Sequence, residues 1–126
     1  MMFFEFWREM KKKVLIIDDE SDLCEIVRIM LTKDNYTVEC AYNLEEASHK
    51  LLQNPEIILL DNNLPDGTGL DMLERHPDLL KNCLVIMITA DFRHSTSQRA
   101  TAIGLQHFVL KPFTLNTIRE MVRKIA

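Results

Sequence analysis

Short apolar runs alternate with amphipathic stretches along most of the chain. Four runs, at 14–17, 57–60, 84–88 and 108–110, are continuously apolar. Strands of a parallel sheet that is covered on both faces show this pattern, because neither face meets water. The run at 37–41 alternates apolar and polar positions, which predicts a strand at the edge of the same sheet.

The segments between these runs have helical spacing. The first predicted helix has one apolar face, formed by Leu23, Ile26, Val27 and Met30. The second begins at a capping box made by Asn43 and Glu46. Its apolar positions are Leu44, Ala47 and Leu51.

Three more helices are predicted in the second half of the chain. One covers 68–75, after a turn made by Gly67 and Gly69, and we expect Asp66 and Asp71 to cap or flank it. The next, at 93–103, is polar and weakly periodic, so we expect it to dock loosely. Thr114 is predicted to cap the last one. The inner face of this last helix is formed by Leu115, Ile118, Val122 and Ile125.

Five strands alternating with five helices predict a three-layer α/β sandwich. Right-handed crossovers favour a flavodoxin-like (βα)5 fold, with a parallel five-stranded sheet of order 2-1-3-4-5. Residues 14–126 would form this single domain, and residues 1–13 an apolar and basic extension. The extension has an amphipathic face of the kind that binds membrane surfaces, but packing on protein is favoured, and its length excludes a membrane span.

Charge and cysteine usage narrow the choice of partners. The net charge of −4 argues against direct nucleic-acid binding by this domain, so a protein partner is expected. Cys24, Cys40 and Cys83 lie in apolar runs without the spacing of a zinc site, which favours buried, reduced thiols and a cytoplasmic location.

Each central strand is followed by, or ends in, a polar residue that can do chemistry. Asp18 and Asp19 follow the first strand, and Asp61 follows the third. Thr89 and Lys111 follow the last two. Because ligands bind beyond the carboxyl ends of parallel strands, we expect these side chains to meet at one edge of the sheet.

Three carboxylates held this close together need a cation. At about 4 Å and an effective dielectric of about 20, each like-charge pair costs about 4 kcal/mol. Oxygen ligands of this kind suit Mg²⁺, with Mn²⁺ as a substitute. With the metal bound, Asp61 can attack phosphorus as a nucleophile, while Thr89 and Lys111 stabilise the transferred phosphoryl oxygens.

The chain resembles the chemotaxis-type receiver domains of response regulators in two-component signalling. The residues above carry this resemblance, together with the segments LLDNNLPDGTGLDML, ITA and LKPF. The resemblance covers about 13–126. It implies that Asp61 is the phosphoacceptor and that Asp18, Asp19, Asp61 and the carbonyl of Asn63 form the metal site. It also implies a signalling switch that catalyses its own phosphorylation and dephosphorylation, rather than an enzyme that acts on an external metabolite.

The same resemblance assigns further positions and partners. Phe108 falls on the switch aromatic, Ala90 follows the hydroxyl residue, and Lys111–Pro112 matches a cis peptide bond. Asp91 falls on a position that lines the pocket. The implied phosphoryl donor is a sensor histidine kinase or a histidine phosphotransfer protein. The implied output is a downstream protein or effector domain, with a possible homodimer through the fourth helix, fifth strand and fifth helix.

Two other functions share parts of this pattern. A haloacid-dehalogenase-type phosphohydrolase would also use Asp61 as nucleophile, but such enzymes have an aspartate two residues later, where this chain has Asn63. A flavin or nucleotide carrier would cradle phosphate after its first strand, where Asp18 and Asp19 would repel it.

Overall fold

The computed structural model describes residues 11–90 and 93–125, apart from the side chain of His94. A five-stranded parallel sheet forms its centre. Its strands are β1 (Lys13–Ile17), β2 (Thr37–Ala41), β3 (Ile57–Asp61), β4 (Leu84–Thr89) and β5 (His107–Leu110). Their order is β2-β1-β3-β4-β5, which confirms the predicted flavodoxin-like topology and the edge position of β2.

Five helices connect and cover the strands. They are α1 (Ser21–Lys33), α2 (Leu44–Lys50), α3 (Gly69–Arg75), α4 (His94–Ala102) and α5 (Leu115–Ile125). Three minor elements complete the described chain: a 3-10 turn at Leu51–Gln53, a two-stranded ribbon of Asn63–Leu64 and Gly67–Thr68, and a single helical turn at Leu79–Asn82. None of the helices among the described residues is long and apolar enough to cross a membrane.

The sheet separates two apolar clusters, as a three-layer sandwich requires. On one side, α1 and α5 pack on alternate strand residues such as Val14, Ile16 and Leu59. On the other, α2, α3 and α4 pack on the intervening residues, such as Leu15 and Leu60. The central strand β3 is buried throughout, which explains its unbroken apolar pattern up to Asp61.

Asn43 caps α2 as predicted, and Thr68 caps α3, which the sequence analysis did not predict. The side chain of Asn43 accepts a hydrogen bond from the backbone N–H of Glu46 at 2.7 Å, at the start of α2. The side chain of Thr68 accepts one from the N–H of Asp71 at 3.1 Å, at the start of α3. These bonds satisfy N–H groups that lack a partner within the first helical turn.

Three predicted apolar positions lie outside the core. Ile26 is 49% exposed, because the buried face of α1 runs through Cys24, Val27 and Leu31, and each residue turns the helix by about 100°. Leu115 and Ile125 are 39% and 36% exposed. They are the first and last residues of α5, whose buried positions lie near its middle.

The prediction for Asp66 was also wrong. Its two carboxylate oxygens accept hydrogen bonds from the N–H groups of Leu44 at 2.8 Å and Glu45 at 3.1 Å, so it caps α2 and not α3. Asp71 lies in the first turn of α3, where it pairs with Arg99 of α4 at 2.9 Å. The predicted extension at 1–13 lies mostly outside the described residues, and its boundary stays a prediction.

Candidate functional site

Three aspartates meet at the carboxyl edge of the sheet. Carboxylate oxygens of Asp18, Asp19 and Asp61 all lie within 4.8 Å of one another. Asp18 and Asp61 are each only 3% exposed, whereas Asp19 is exposed. The neighbouring β1 and β3 deliver these residues, because Ile17 is paired with Leu60 in the parallel register.

Asp18 is held by the backbone around it. Its N–H donates to the carbonyl of Ala41 at 3.0 Å, and its Oδ1 accepts from the N–H of Glu20 at 2.9 Å. Burial raises the pKa of Asp18 to about 6; the Glu20 hydrogen bond acts in the opposite direction, and the negative charge of Asp61 adds to the increase. The folded protein without metal therefore disfavours a full negative charge at this position.

Both oxygens of Asp61 have hydrogen-bond donors. Oδ1 accepts from the backbone N–H of Asn63 at 3.1 Å, and Oδ2 accepts from Nζ of Lys111 at 3.1 Å. These two contacts hold the carboxylate of Asp61 beside those of Asp18 and Asp19. Asn63 itself is exposed. The role of its carbonyl as a metal ligand stays a prediction.

Lys111 is the cation that faces the aspartates. Its Nζ also lies 3.8 Å from Oδ2 of Asp18 and 3.8 Å from Oε1 of Glu20. Burial acts to lower the pKa of Lys111, but the hydrogen bond to Asp61 and the surrounding negative charges outweigh it, so the pKa is raised. Lys111 is thus firmly protonated at neutral pH.

Backbone contacts place Lys111 and Thr89 beside each other. The N–H of Lys111 donates to the carbonyl of Thr89 at 3.0 Å, just beyond the paired part of β4 and β5. Thr89 is only 1% exposed at the end of β4. The Lys111–Pro112 peptide bond is cis, which confirms that prediction.

The remaining predicted positions surround this centre. Phe108 is partly buried and packs against the cluster under α2, α3 and α4. Ala90 and Pro112 are exposed and line a groove next to Lys111. Asp91 lies outside the described residues.

Two residues support Asp61 in ways that the sequence analysis did not predict. Asn62 is 4% exposed, and its Oδ1 accepts from the N–H of Leu70 at 3.1 Å, which ties the segment after β3 to α3. Gly69 approaches β3 so closely that a Cβ there would lie 2.8 Å from Cγ of Leu60 and 2.9 Å from the carbonyl oxygen of Asp61. The glycine at position 69 is visible in the sequence, but only the fold shows that it lies against Leu60 and Asp61.

The donor set fits a hard divalent cation. Three carboxylates offer oxygen ligands alone, which suit Mg²⁺ or Mn²⁺ better than a metal that prefers sulfur or imidazole. Lys111 supplies one positive charge against three potential negative ones. Burial is the main cause of the raised pKa of Asp18, and repulsion from Asp61 adds to it, so a bound cation would favour the charged form of Asp18.

Comparison with known proteins finds a matching family and several relatives. The family model described as "Response regulator receiver domain" matches residues 14–123. "Sporulation initiation phosphotransferase F" of Bacillus subtilis is 31% identical over 117 residues, covering 91% of this chain and 94% of the relative. The "Response regulator protein PilR" of Pseudomonas aeruginosa is 37% identical over 117 residues, covering 89% of this chain and 25% of the relative.

Solved structures show the same fold. The chemotaxis response regulator CheY4 of Vibrio cholerae has a TM-score of 0.82 at 26% identity, covering 93% of this chain and all of that one (100%). The chain spans 25%, 20% and 50% of the lengths of PilR and two further regulators, so it matches only part of those proteins. By its family match and its fold, the chain belongs to the response regulator receiver domains.

Proposed function

We propose that this receiver domain takes a phosphoryl group from a phosphohistidine donor onto Asp61, in a reaction that requires Mg²⁺. The observation that carries the proposal is the meeting of three carboxylates within 4.8 Å, with Nζ of Lys111 3.1 Å from Asp61. Asp18, Asp19, Asp61 and the carbonyl of Asn63 would hold the cation. The metal, when bound, would neutralise charge on the carboxylates and on the phosphoryl oxygens.

Asp61 would act as the nucleophile without a general base. An ionised carboxylate oxygen forms a bond to phosphorus while the bond from phosphorus to the donor histidine nitrogen breaks. Lys111 is placed to transfer its hydrogen bond from Asp61 to a phosphoryl oxygen, and the hydroxyl of Thr89 would donate to another. Asn63 and Lys111 already orient the carboxylate, so little rearrangement precedes attack.

The phosphorylated state would act as a switch on protein partners. Phe108 packs against the cluster under α2, α3 and α4, and a movement of Thr89 toward the phosphoryl group would leave space into which its ring can turn. Among the described side chains of α4, only those of Thr96 and Ala100 are buried. A helix with so few buried side chains can shift at low cost. The face formed by α4, β5 and α5 would then bind a downstream protein, an effector domain or a second copy.

The proposed donors are a sensor histidine kinase or a histidine phosphotransfer protein, and the proposed location is the cytoplasm. The domain would catalyse its own phosphorylation and dephosphorylation. A haloacid-dehalogenase-type phosphohydrolase is less well supported, because Asp61 ends the third strand along the chain and an exposed Asn63 occupies the expected acid/base position.

The proposal is tested by intact mass after incubation with Mg²⁺ and acetyl phosphate, a small phosphoryl donor. The wild type should gain one phosphoryl group, and chelation of the metal should prevent the gain. Asp61→Asn should abolish it, while Asp78→Asn, at an exposed aspartate in the turn before β4, should leave it intact. An unmodified wild type with several donors and with either Mg²⁺ or Mn²⁺ would contradict the proposal.

A further inference from the structure

Cys24 and Cys40 form a pair of thiols in the apolar layer between α1 and the sheet. Cys24 is 0% exposed on α1, and Cys40 is 7% exposed on β2. Both belong to the same buried cluster, and Sγ of Cys40 lies 3.8 Å from the carbonyl oxygen of Cys24. The pair therefore links the first helix to the outermost strand.

The thiol of Cys24 also reaches the acidic site. Its Sγ donates to the backbone carbonyl of Asp18 at 3.3 Å. Cys24 has only one S–H proton, and the carbonyl of Asp18 accepts it. A change at the thiol of Cys24 therefore alters a hydrogen bond to the backbone of Asp18, a proposed metal ligand.

The surroundings make the two thiols unequal. Nζ of Lys50 donates to the backbone carbonyl of Cys40, so a cation lies beside this residue. Cys40 lies on the edge strand and is also the more exposed of the two, so it is the sulfur that meets an oxidant first.

We propose that Cys24 and Cys40 are a redox-active pair whose reversible disulfide alters the acidic site through the carbonyl of Asp18. The oxidant class is a hydroperoxide, with hydrogen peroxide as the simplest member. The disulfide itself is independent of the function proposed above, whereas its effect on metal binding rests on that function.

The chemistry balances with one equivalent of peroxide. The sulfur of Cys40 attacks a peroxide oxygen, the O–O bond breaks, and a sulfenic acid and one water form. The sulfur of Cys24 then attacks the sulfur of Cys40, and the second oxygen leaves as water. The two sulfurs lose two electrons in total, and both thiol protons end in the two waters. A dithiol reductant reverses the reaction.

The first test is intact mass of the folded protein after treatment with hydrogen peroxide, with and without dithiothreitol. The wild type should lose two hydrogens as a monomer and regain them on reduction. Cys24→Ser and Cys40→Ser should each prevent this loss. Cys83→Ser is the matched control and should not, because the thiol of Cys83 contacts the carbonyl of Pro55 at 3.1 Å, against the other apolar cluster. Only added oxygen, or no change at all, in the wild type would overturn the proposal.

The second test measures Mg²⁺ binding by calorimetry in the reduced and oxidised proteins. Loss of the S–H bond to Asp18 should raise the Mg²⁺ dissociation constant by roughly fivefold, the change expected for one hydrogen bond. Cys24→Ala should show a similar increase without oxidant, whereas Cys24→Ser keeps a donor and should stay near the wild type. Equal Mg²⁺ affinity in all of these forms would overturn the coupling. No Mg²⁺ binding by the reduced wild type would contradict the proposed function and the coupling, while the mass change would still establish the disulfide.

Discussion

Neutralising Asp18 should stabilise the protein when no metal is bound. Burial is the main reason that the pKa of this carboxyl rises from 3.8 to about 6, and repulsion from Asp61 adds to it. At about 1.36 kcal/mol per pKa unit, this increase corresponds to about 3 kcal/mol. Asn at this position keeps the oxygen that accepts from the N–H of Glu20, so the substitution Asp18→Asn removes charge with little loss of bonding.

The sign of the pH dependence follows from the raised pKa. Below about pH 4, Asp18 is largely protonated in the folded state, and its contribution to stability is nearly complete. As the pH rises through about 6, the folded protein must either charge a buried group or hold a proton that the unfolded chain has released. The metal-free wild type should therefore lose stability between about pH 4 and pH 7, and Asp18→Asn should lose much less.

Urea unfolding followed by circular dichroism, in the presence of a chelator, measures this difference. At pH 7.5, Asp18→Asn should raise the free energy of unfolding by up to about 3 kcal/mol, and at pH 4 by less than about 1 kcal/mol. Asp78→Asn, at an exposed aspartate, is the matched control and should change little. Saturating Mg²⁺ should reverse the order, because the wild type would bind it more tightly. A variant no more stable than the wild type at pH 7.5 without metal would refute the reasoning.

Three further substitutions test other parts of the site and fold. Gly69→Ala should lower the free energy of unfolding by about 1–3 kcal/mol in urea melts, because its Cβ would meet Leu60 and the carbonyl of Asp61. Gly104→Ala is the control: nothing lies within 4 Å of the added Cβ, but φ is +86°, so it should cost only about 1 kcal/mol. Equal costs for the two variants would contradict the packing argument. Asn43→Ala removes the cap of α2 and should cost about 1 kcal/mol in the same assay, so an unchanged melt would count against the cap. Lys111→Met should bind Mg²⁺ severalfold more tightly, as measured by calorimetry, because a competing positive charge is lost. The same variant should be phosphorylated more slowly by acetyl phosphate. Weaker Mg²⁺ binding would contradict this account.

The central features of the fold could be predicted because they depend on local pattern. Continuous apolar runs identify buried parallel strands, and right-handed crossovers leave few ways to order them. Asp61 and Thr89 could be recognised as site residues for the same reason, since each stands at the end of such a run. The convergence of strand ends at one edge then follows from the sheet and needs no further information.

The features that were missed depend on contacts between distant segments. Ile26 has the right spacing for burial, but the position of α1 on the sheet decides which side of its apolar stripe is covered. Asp66 lies three residues before Gly69, the first residue of α3, yet the fold brings it to the N-terminus of α2. Asn62 and Gly69 support Asp61 through contacts between β3 and α3, which no periodicity in the sequence records.

Chemical mapping of the modified residue tests the central claim most directly. Borohydride reduces an aspartyl phosphate to homoserine, so protein treated with acetyl phosphate and Mg²⁺ can be reduced, digested and sequenced by mass spectrometry. Homoserine should appear at position 61, and it should be absent when the metal is chelated. Homoserine at Asp18 or Asp19, or a phosphoryl group retained on another residue with none at Asp61, would contradict the assignment of Asp61 as the phosphoacceptor.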